Sequence, residues 1–221
     1  MLNKETVLIS LKLFIITAVA ALCLAVVNKI TTPIIAENNL AAEVKAQQEV
    51  LPDAADFTTV EIPVVKSDNV TIEKMTGGLQ AENSSTIVGY VVTAVSNAGY
   101  GGDIKIMVGI DNNLKVTRIK ILESSETAGL GANASKPEFA RQFEGAADSL
   151  TVVKGAAKSG EISAIASATI TSKAVTSCVN TALEAAKLKS TDSKVEETAQ
   201  KLEQIKQETQ SQISDGEGAA E

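Results

Sequence analysis

The chain has 221 residues, 44% of them hydrophobic, which is enough for one domain with a buried core plus accessory segments. Aromatic residues make up 3% and the formal net charge is −7, and both values argue against nucleic-acid binding. The absence of histidine removes the commonest general base and metal ligand. Cys23 and Cys178 form no CxxC pair, so the sequence predicts neither a zinc site nor an iron–sulfur cluster.

The first element is an apolar run at residues 7–27, VLISLKLFIITAVAALCLAVV, with Lys12 as its one charge. Its length matches a helix that spans a bilayer, and we predict an uncleaved membrane anchor. The rivals are a signal peptide cleaved near Ala20 and a lipoprotein that uses Cys23. Residues 1–6 are predicted to be a cytoplasmic N-terminus, because so short a tail makes an exported domain the simpler arrangement.

Residues 28–54 are predicted to form a juxtamembrane stalk. Pro33 is expected to interrupt it. Beyond it, Leu40, Val44 and Leu51 recur at roughly helical spacing, and Pro52 is expected to end that helix.

A globular domain is predicted over residues 55–190. The segments 85–96, 103–110 and 114–122 are rich in β-branched residues and predict three strands, with a DNN turn before the third. The apolar positions change phase within 114–122, which predicts a β-bulge. The fold class expected is α+β, an antiparallel sheet with packed helices.

Helices and a tail follow the strands. Residues 123–143 are predicted to form a small-residue loop and then a short helix near Pro137. Residues 173–188 predict an amphipathic helix that buries Cys178 as an inert core residue. Residues 191–221 hold eight acidic residues against three lysines and predict a disordered tail, with at most a marginal helix in it.

A cluster of hydroxyl residues precedes that helix: Ser167, Thr169, Thr171 and Ser172. A helix predicted to start near Ser172 would present unpaired N–H groups and a positive dipole end, which suit phosphate. Capping explains Thr171 or Ser172. It does not explain Thr169, or small neighbours such as Ala168 that would let a ligand approach closely. The residues alone favour capping and leave a bound cofactor as the alternative.

A second loop, ETAGLG at residues 126–131, directly follows a predicted strand. It combines the carboxylate of Glu126 and the hydroxyl of Thr127 with Gly129, Leu130 and Gly131. Glycine permits positive φ and close approach of the backbone to a ligand. An ordinary tight connection would use the same residues.

Three stretches resemble the G subunit of the Rnf electron-transport complex: GYGGDIKIMVGID, ESSETAGLGANASKPEFARQF and SATITSKAV. They occur in this order behind one anchor and the sequence VVNKITTPII, so the resemblance covers about residues 5–188. The family motif is Ser/Thr-Gly-Ala-Thr. This chain matches its alanine and threonine at Ala168 and Thr169, and has Ala166 and Ser167 at the two preceding positions.

The resemblance implies an FMN-binding domain in which a separate, Mg-dependent flavin transferase joins FMN through its phosphate to Thr169. It further implies that Ser167 and Ala168 lie beside the phosphate, that Thr171 and Ser172 donate hydrogen bonds to it, and that the ETAGLG loop packs near the isoalloxazine. The chain would relay electrons between ferredoxin and NAD while its complex moves Na⁺ or H⁺. Its partners would be the other subunits, the transferase and the lipid bilayer. It would be a single-pass protein of the cell membrane with an extracytoplasmic domain.

Two alternatives stay open. One is the related C subunit of the sodium-pumping NADH:quinone reductase, or another protein with the same FMN domain. The other is a non-redox exported binding or assembly module, in which Thr169 is merely structural.

Overall fold

The computed structural model describes residues 4–82 and 86–217. The chain divides into one unit that ends at Lys45 and a second that begins at Ala46. Most of the first unit is helix α1, Lys4–Val50, whose last turn belongs to the second unit.

Helix α1 contains the predicted anchor. Its segment Ser10–Thr32 has 23 residues and a mean hydropathy of 2.4, so it is long and apolar enough to cross a membrane. Hydroxyls within it donate to carbonyls one turn earlier, as Thr31 does to Val27 O at 2.8 Å, and so do not stay unpaired among apolar groups. The helix continues through Pro33, where the sequence predicts an interruption, because a proline removes only one hydrogen bond of a long helix.

Five antiparallel strands form the sheet of the second unit in the order β1-β2-β3-β4-β5. They are β1 Asp56–Thr59, β2 Val70–Leu79, β3 Ile87–Ser96, β4 Ile104–Asp111 and β5 Val116–Ser124. The last three are the predicted strands. Each strand pairs with the next along the chain, so the sheet is a simple meander and the predicted α+β class is confirmed.

Both faces of this sheet are covered within the second unit. Alternate residues of β4, among them Ile106 and Val108, enter the main core, while Met107 between them packs on the opposite face. There it meets Val50 and Leu51, which end and follow α1. Helix α1 ends at Val50, before Pro52, as predicted. Its last turn helps to cover this second face of the sheet.

The predicted bulge lies at Thr117. Arg118 pairs with Gly109 and Val116 pairs with Ile110, so Thr117 is an extra residue in β5. Its hydroxyl donates to the carbonyl of Val50.

Short elements follow β5. They are a 3-10 helix Gly131–Ser135, the helix α2 Pro137–Ala140 and a second 3-10 helix Arg141–Phe143, and all three contact the edge strand β5. The short helix predicted near Pro137 is therefore confirmed. The strands β6 Thr151–Val153 and β7 Glu161–Ser163 then form a separate parallel pair.

Helix α3, Thr169–Glu217, packs on the main-core face of the sheet. The amphipathic helix predicted over residues 173–188 lies within it, and seven of its apolar residues are buried: Ala174, Val175, Cys178, Val179, Ala182, Leu183 and Ala186. Residues 191–217 continue this helix, where the sequence predicts a disordered tail. Residues 218–221 of that tail lie outside the described residues.

Candidate functional site

Helix α3 starts three residues earlier than the sequence predicts. It begins at Thr169, and the N–H of Ser172 already donates to Ala168 O at 3.1 Å. Ser172 does not cap the helix. Its hydroxyl donates to Ala168 O at 3.0 Å and accepts from the Ile165 N–H at 2.9 Å, because serine inside a helix can bond to the preceding turn.

The three hydroxyls of this first turn differ in what they contact. Thr171 donates to Glu126 Oε2 at 2.8 Å and its side chain is 1% exposed. Ser172 is fully buried and bonded within the turn. In the part of the chain that the structure describes, the hydroxyl of Thr169 makes no hydrogen bond, and its half-buried side chain faces a cleft. Both hydroxyl protons have protein acceptors in this structure, and donation by Thr171 and Ser172 to a phosphate stays a prediction.

Ser167 adopts a left-handed backbone, with φ 60°. This region favours glycine, because a Cβ crowds the following carbonyl there. The conformation turns the chain sharply between Ile165 and the buried Ala168, whose N–H donates to Ile165 O at 2.9 Å. The turn brings Thr169 to the beginning of α3.

The side chain of Glu126 joins the second predicted loop to two other segments. Its Oε1 accepts from the backbone N–H groups of Tyr100 and Gly101, at 2.7 and 3.1 Å. Its Oε2 accepts from Thr171, as described above. One carboxylate therefore connects the β3–β4 turn, the loop after β5 and the start of α3.

The two glycines of the ETAGLG loop are there for different reasons. Gly129 has φ 78°, which a side chain disfavours although the space around it is open. At Gly131, a Cβ would come within 2.2 Å of Glu126 Oε2 and 2.7 Å of Thr171 Oγ1. Glycine at residue 131 therefore leaves room for the bond between Glu126 and Thr171.

A cleft of about 370 Å³ lies where these segments meet. Eight of the predicted site residues line it: Glu126, Thr127, Leu130, Gly131, Ser167, Ala168, Thr169 and Thr171. Two others, Gly129 and Ser172, do not line it and shape the backbone around it instead.

Two residues that the sequence analysis missed, Tyr100 and Ile170, also line the cleft. With Leu130 they form an apolar rim, since all three side chains are exposed. The sequence offered one indication for Tyr100, an aromatic residue among glycines in a chain with two tyrosines.

The cleft fits a flavin mononucleotide by its chemistry. The first N–H groups of α3 have no intrahelical acceptor, and the helix end carries partial positive charge, which suits a phosphodiester. The apolar rim suits a flat, weakly polar ring. Of the residues that line the cleft, Glu126 is the charged one.

Residues 99–184 match the family model of the FMN-binding domain, a range that contains both loops and the start of α3. Three relatives match most of the chain. The G subunit of the Na⁺-translocating ferredoxin:NAD⁺ oxidoreductase complex of Acetobacterium woodii is 42% identical, over 80% of this chain and 89% of that protein. The G subunit of the proton-translocating complex of Clostridium ljungdahlii is 36% identical, over 75% and 83%.

The G subunit of an ion-translocating oxidoreductase complex of Methanosarcina acetivorans is 32% identical, over 82% of this chain and 95% of that protein. These sequence identities, together with the FMN-binding domain in the same chain, establish the family. The protein belongs to the G subunits of ion-translocating oxidoreductase complexes.

Proposed function

We propose that this chain is an electron-relaying subunit of a membrane complex that couples electron transfer between ferredoxin and NAD⁺ to ion translocation. The relatives from A. woodii and C. ljungdahlii carry this activity in their names, one with Na⁺ and one with protons. The apolar segment Ser10–Thr32 supplies a membrane anchor. The FMN-binding domain supplies the redox group.

The cofactor is proposed to be FMN joined covalently through its phosphate to Thr169. The observation that carries this assignment is the difference among the three hydroxyls at the start of α3. Thr171 and Ser172 are buried and bonded to protein acceptors, whereas the Thr169 hydroxyl faces the cleft without one. Among the three hydroxyls of this first turn, Thr169 is thus the one that a modifying enzyme can reach.

Attachment requires a separate flavin transferase, which we include in the proposal. The Thr169 oxygen would attack the FMN phosphorus of FAD, so that one phosphate ester bond forms, the pyrophosphate bond breaks and AMP leaves. The hydroxyl proton passes to solvent or to a base of that enzyme. The product keeps one negative charge, which the beginning of α3 stabilises.

The remaining cleft residues would hold the flavin. The small side chain of Ala168 lets the phosphate approach the backbone, and Tyr100, Leu130 and Ile170 offer apolar surface to the isoalloxazine. Bound FMN supplies the capacity to accept and donate electrons. The chain's own part is to orient the ring and limit its contact with water.

The second unit is proposed to lie on the extracytoplasmic side of the membrane. Fusion of a reporter that is active only outside the cytoplasm to the C-terminus tests this orientation. Activity supports the proposal, and activity of a cytoplasm-specific reporter at the same position contradicts it.

In-gel flavin fluorescence tests the cofactor assignment. The full chain is produced together with a flavin transferase, next to Thr169→Ala, Thr169→Ser and Thr171→Val. We expect fluorescence that survives denaturation in the wild type, Thr169→Ser and Thr171→Val, and a dark band for Thr169→Ala. A dark wild-type band beside a fluorescent family member would favour a non-redox binding module, and fluorescence of Thr169→Ala would exclude Thr169 as the attachment site.

A further inference from the structure

Glu126 is the best-connected polar side chain of the cleft. It accepts three hydrogen bonds, from Tyr100 N at 2.7 Å, Gly101 N at 3.1 Å and Thr171 Oγ1 at 2.8 Å. Three donors facing two oxygens match an ionised carboxylate, which only accepts. Bonds to a charged acceptor are also stronger than neutral ones.

The surrounding backbone is built closely around this carboxylate. A Cβ at Gly99 would come within 2.9 Å of Oε1, and a Cβ at Gly131 within 2.2 Å of Oε2. Glycines on two different segments thus leave the space that the carboxylate occupies. At Gly131 the carboxylate is the nearest obstacle to a Cβ, whereas at Gly99 the carbonyl of Gly102, at 2.2 Å, is nearer still. The arrangement is more than a chance surface contact, because the backbone at Gly131 leaves room for it.

We propose that Glu126 is a positioning residue of the flavin site rather than a direct ligand of the flavin. Its hydrogen bonds hold the Tyr100 turn against the start of α3, so that the cleft keeps its shape before the cofactor is attached. Its negative charge lies in the wall of the cleft and opposes the addition of electrons to a flavin there, which lowers the reduction potential. This second part rests on the proposed function.

The positioning part can be tested without flavin, because the chain has no tryptophan and two tyrosines. Tyr90 is buried and Tyr100 is exposed, so Tyr90→Phe leaves Tyr100 as the fluorescent reporter of its turn. In this background and in the unflavinylated full chain, Glu126→Ala is expected to lower the steady-state anisotropy of tyrosine. Glu126→Gln is expected to keep it, since the amide oxygen still accepts from the two N–H groups and Thr171 can accept from the amide nitrogen.

Gly131→Ala is a second way to break the hydrogen bonds of Glu126, because the new methyl group displaces its carboxylate. We expect its anisotropy to fall as in Glu126→Ala. Unchanged anisotropy in Glu126→Ala, or an equal fall in Glu126→Gln, would overturn the claim that these hydrogen bonds hold the turn.

The electrostatic part is tested on the flavinylated full chain by redox titration. Glu126→Gln keeps the geometry and removes the charge, so at a fixed potential the ratio of reduced to oxidised flavin should rise roughly three- to thirtyfold. Glu138→Gln, on α2 outside the cleft, removes the same charge and should leave the ratio unchanged. Equal ratios in the two variants would overturn the electrostatic role.

Failure of this inference is distinguishable from failure of the proposed function. If the wild-type chain takes up no covalent flavin, the proposed function fails and the electrostatic part fails with it. The anisotropy experiment still decides the positioning part, because it uses the chain without flavin.

Discussion

At Ser167 the backbone has φ 60°, and the family motif has glycine at this position. A left-handed conformation costs a residue with a Cβ about 1–2 kcal/mol, and glycine avoids this cost. Glycine in turn lowers the stability of the folded state by about 0.4–1 kcal/mol, because it gives the unfolded chain more conformations. Ser167→Gly should therefore raise the free energy of unfolding by about 0.5–1 kcal/mol. Chemical denaturation of the full chain in detergent measures this change.

A matched control is Ser159→Gly, an exposed turn residue that lacks a positive φ. It should leave the free energy of unfolding unchanged or lower it slightly, because glycine gains nothing there. A loss of stability in Ser167→Gly as large as that in Ser159→Gly would show that φ at residue 167 carries no strain.

Cys178 predicts a pH dependence of stability. Complete burial raises the pKa of its thiol from 9.0 to about 12. Because the folded pKa is the higher one, the neutral thiol's contribution is fully present below pH 9 and is lost as the pH rises towards 12. Over that range this group should lower the free energy of unfolding by roughly 1 kcal/mol per pH unit.

The difference between the wild type and Cys178→Ala isolates this effect from that of other titrating groups. We expect the alanine variant to have a flatter stability profile above pH 9. Parallel profiles for the two proteins would contradict the assignment.

At the scale of single residues, the sequence identifies site residues where a motif or a distinctive residue type marks them. Thr169 and Glu126 could be selected because their loops have recognisable residue types. Tyr100 had only its glycine neighbours as an indication, because it reaches the cleft only when the β3–β4 turn folds beside the loop after β5. The helix start was misplaced because a serine that caps a helix and one that bonds back inside it have the same local sequence.

Helix α3 is the element that connects the site to the core. Its first turn lines the cleft, and its buried face packs on the sheet. Asn180 fixes it further, since its side-chain amide exchanges two hydrogen bonds, of 2.8 and 2.9 Å, with the backbone of Leu150. We therefore expect the position of the first turn of α3 to depend on packing farther along the helix.

Two leucines of α3 allow that packing to be tested. Leu183 is 2% exposed and Leu188 is 40% exposed. Leu183→Ala should lower the free energy of unfolding by about 2–5 kcal/mol, since it removes buried methyl groups and leaves a cavity. Leu188→Ala should lower the free energy of unfolding clearly less. Equal losses of stability for the two variants in thermal unfolding experiments would contradict the burial of Leu183 in the core.

The elements predicted correctly are those with strong patterns. β3, β4 and β5 are rich in β-branched residues, and the phase change in β5 corresponds to a real bulge at Thr117. β1 and β2 were missed, since β1 is short and β2 has two glycines near its end that weaken the pattern. The parallel pair β6 and β7 has three residues in each strand, too few for any periodicity.

For the whole molecule, the N-terminal segment predicts attachment to the membrane. Leu22 lies near the middle of Ser10–Thr32, where a charged side chain costs about 2.5–3.5 kcal/mol in insertion. Leu22→Arg should move a substantial fraction of the chain into the supernatant after alkaline extraction of membranes. Leu40→Arg, beyond the span, should leave the chain in the pellet, and equal release of both variants would argue against this segment as the anchor.

The covalent bond between FMN and Thr169 is the central claim, and mass spectrometry of one peptide tests it most directly. Trypsin cleavage after Lys158 and Lys173 releases residues 159–173, which contain Ser167, Thr169 and Thr171. From the chain produced with a flavin transferase, we expect this peptide to carry the mass of one FMN less one water. Fragment ions should place the added mass on Thr169. An unmodified peptide, or the added mass on another residue, would contradict the account.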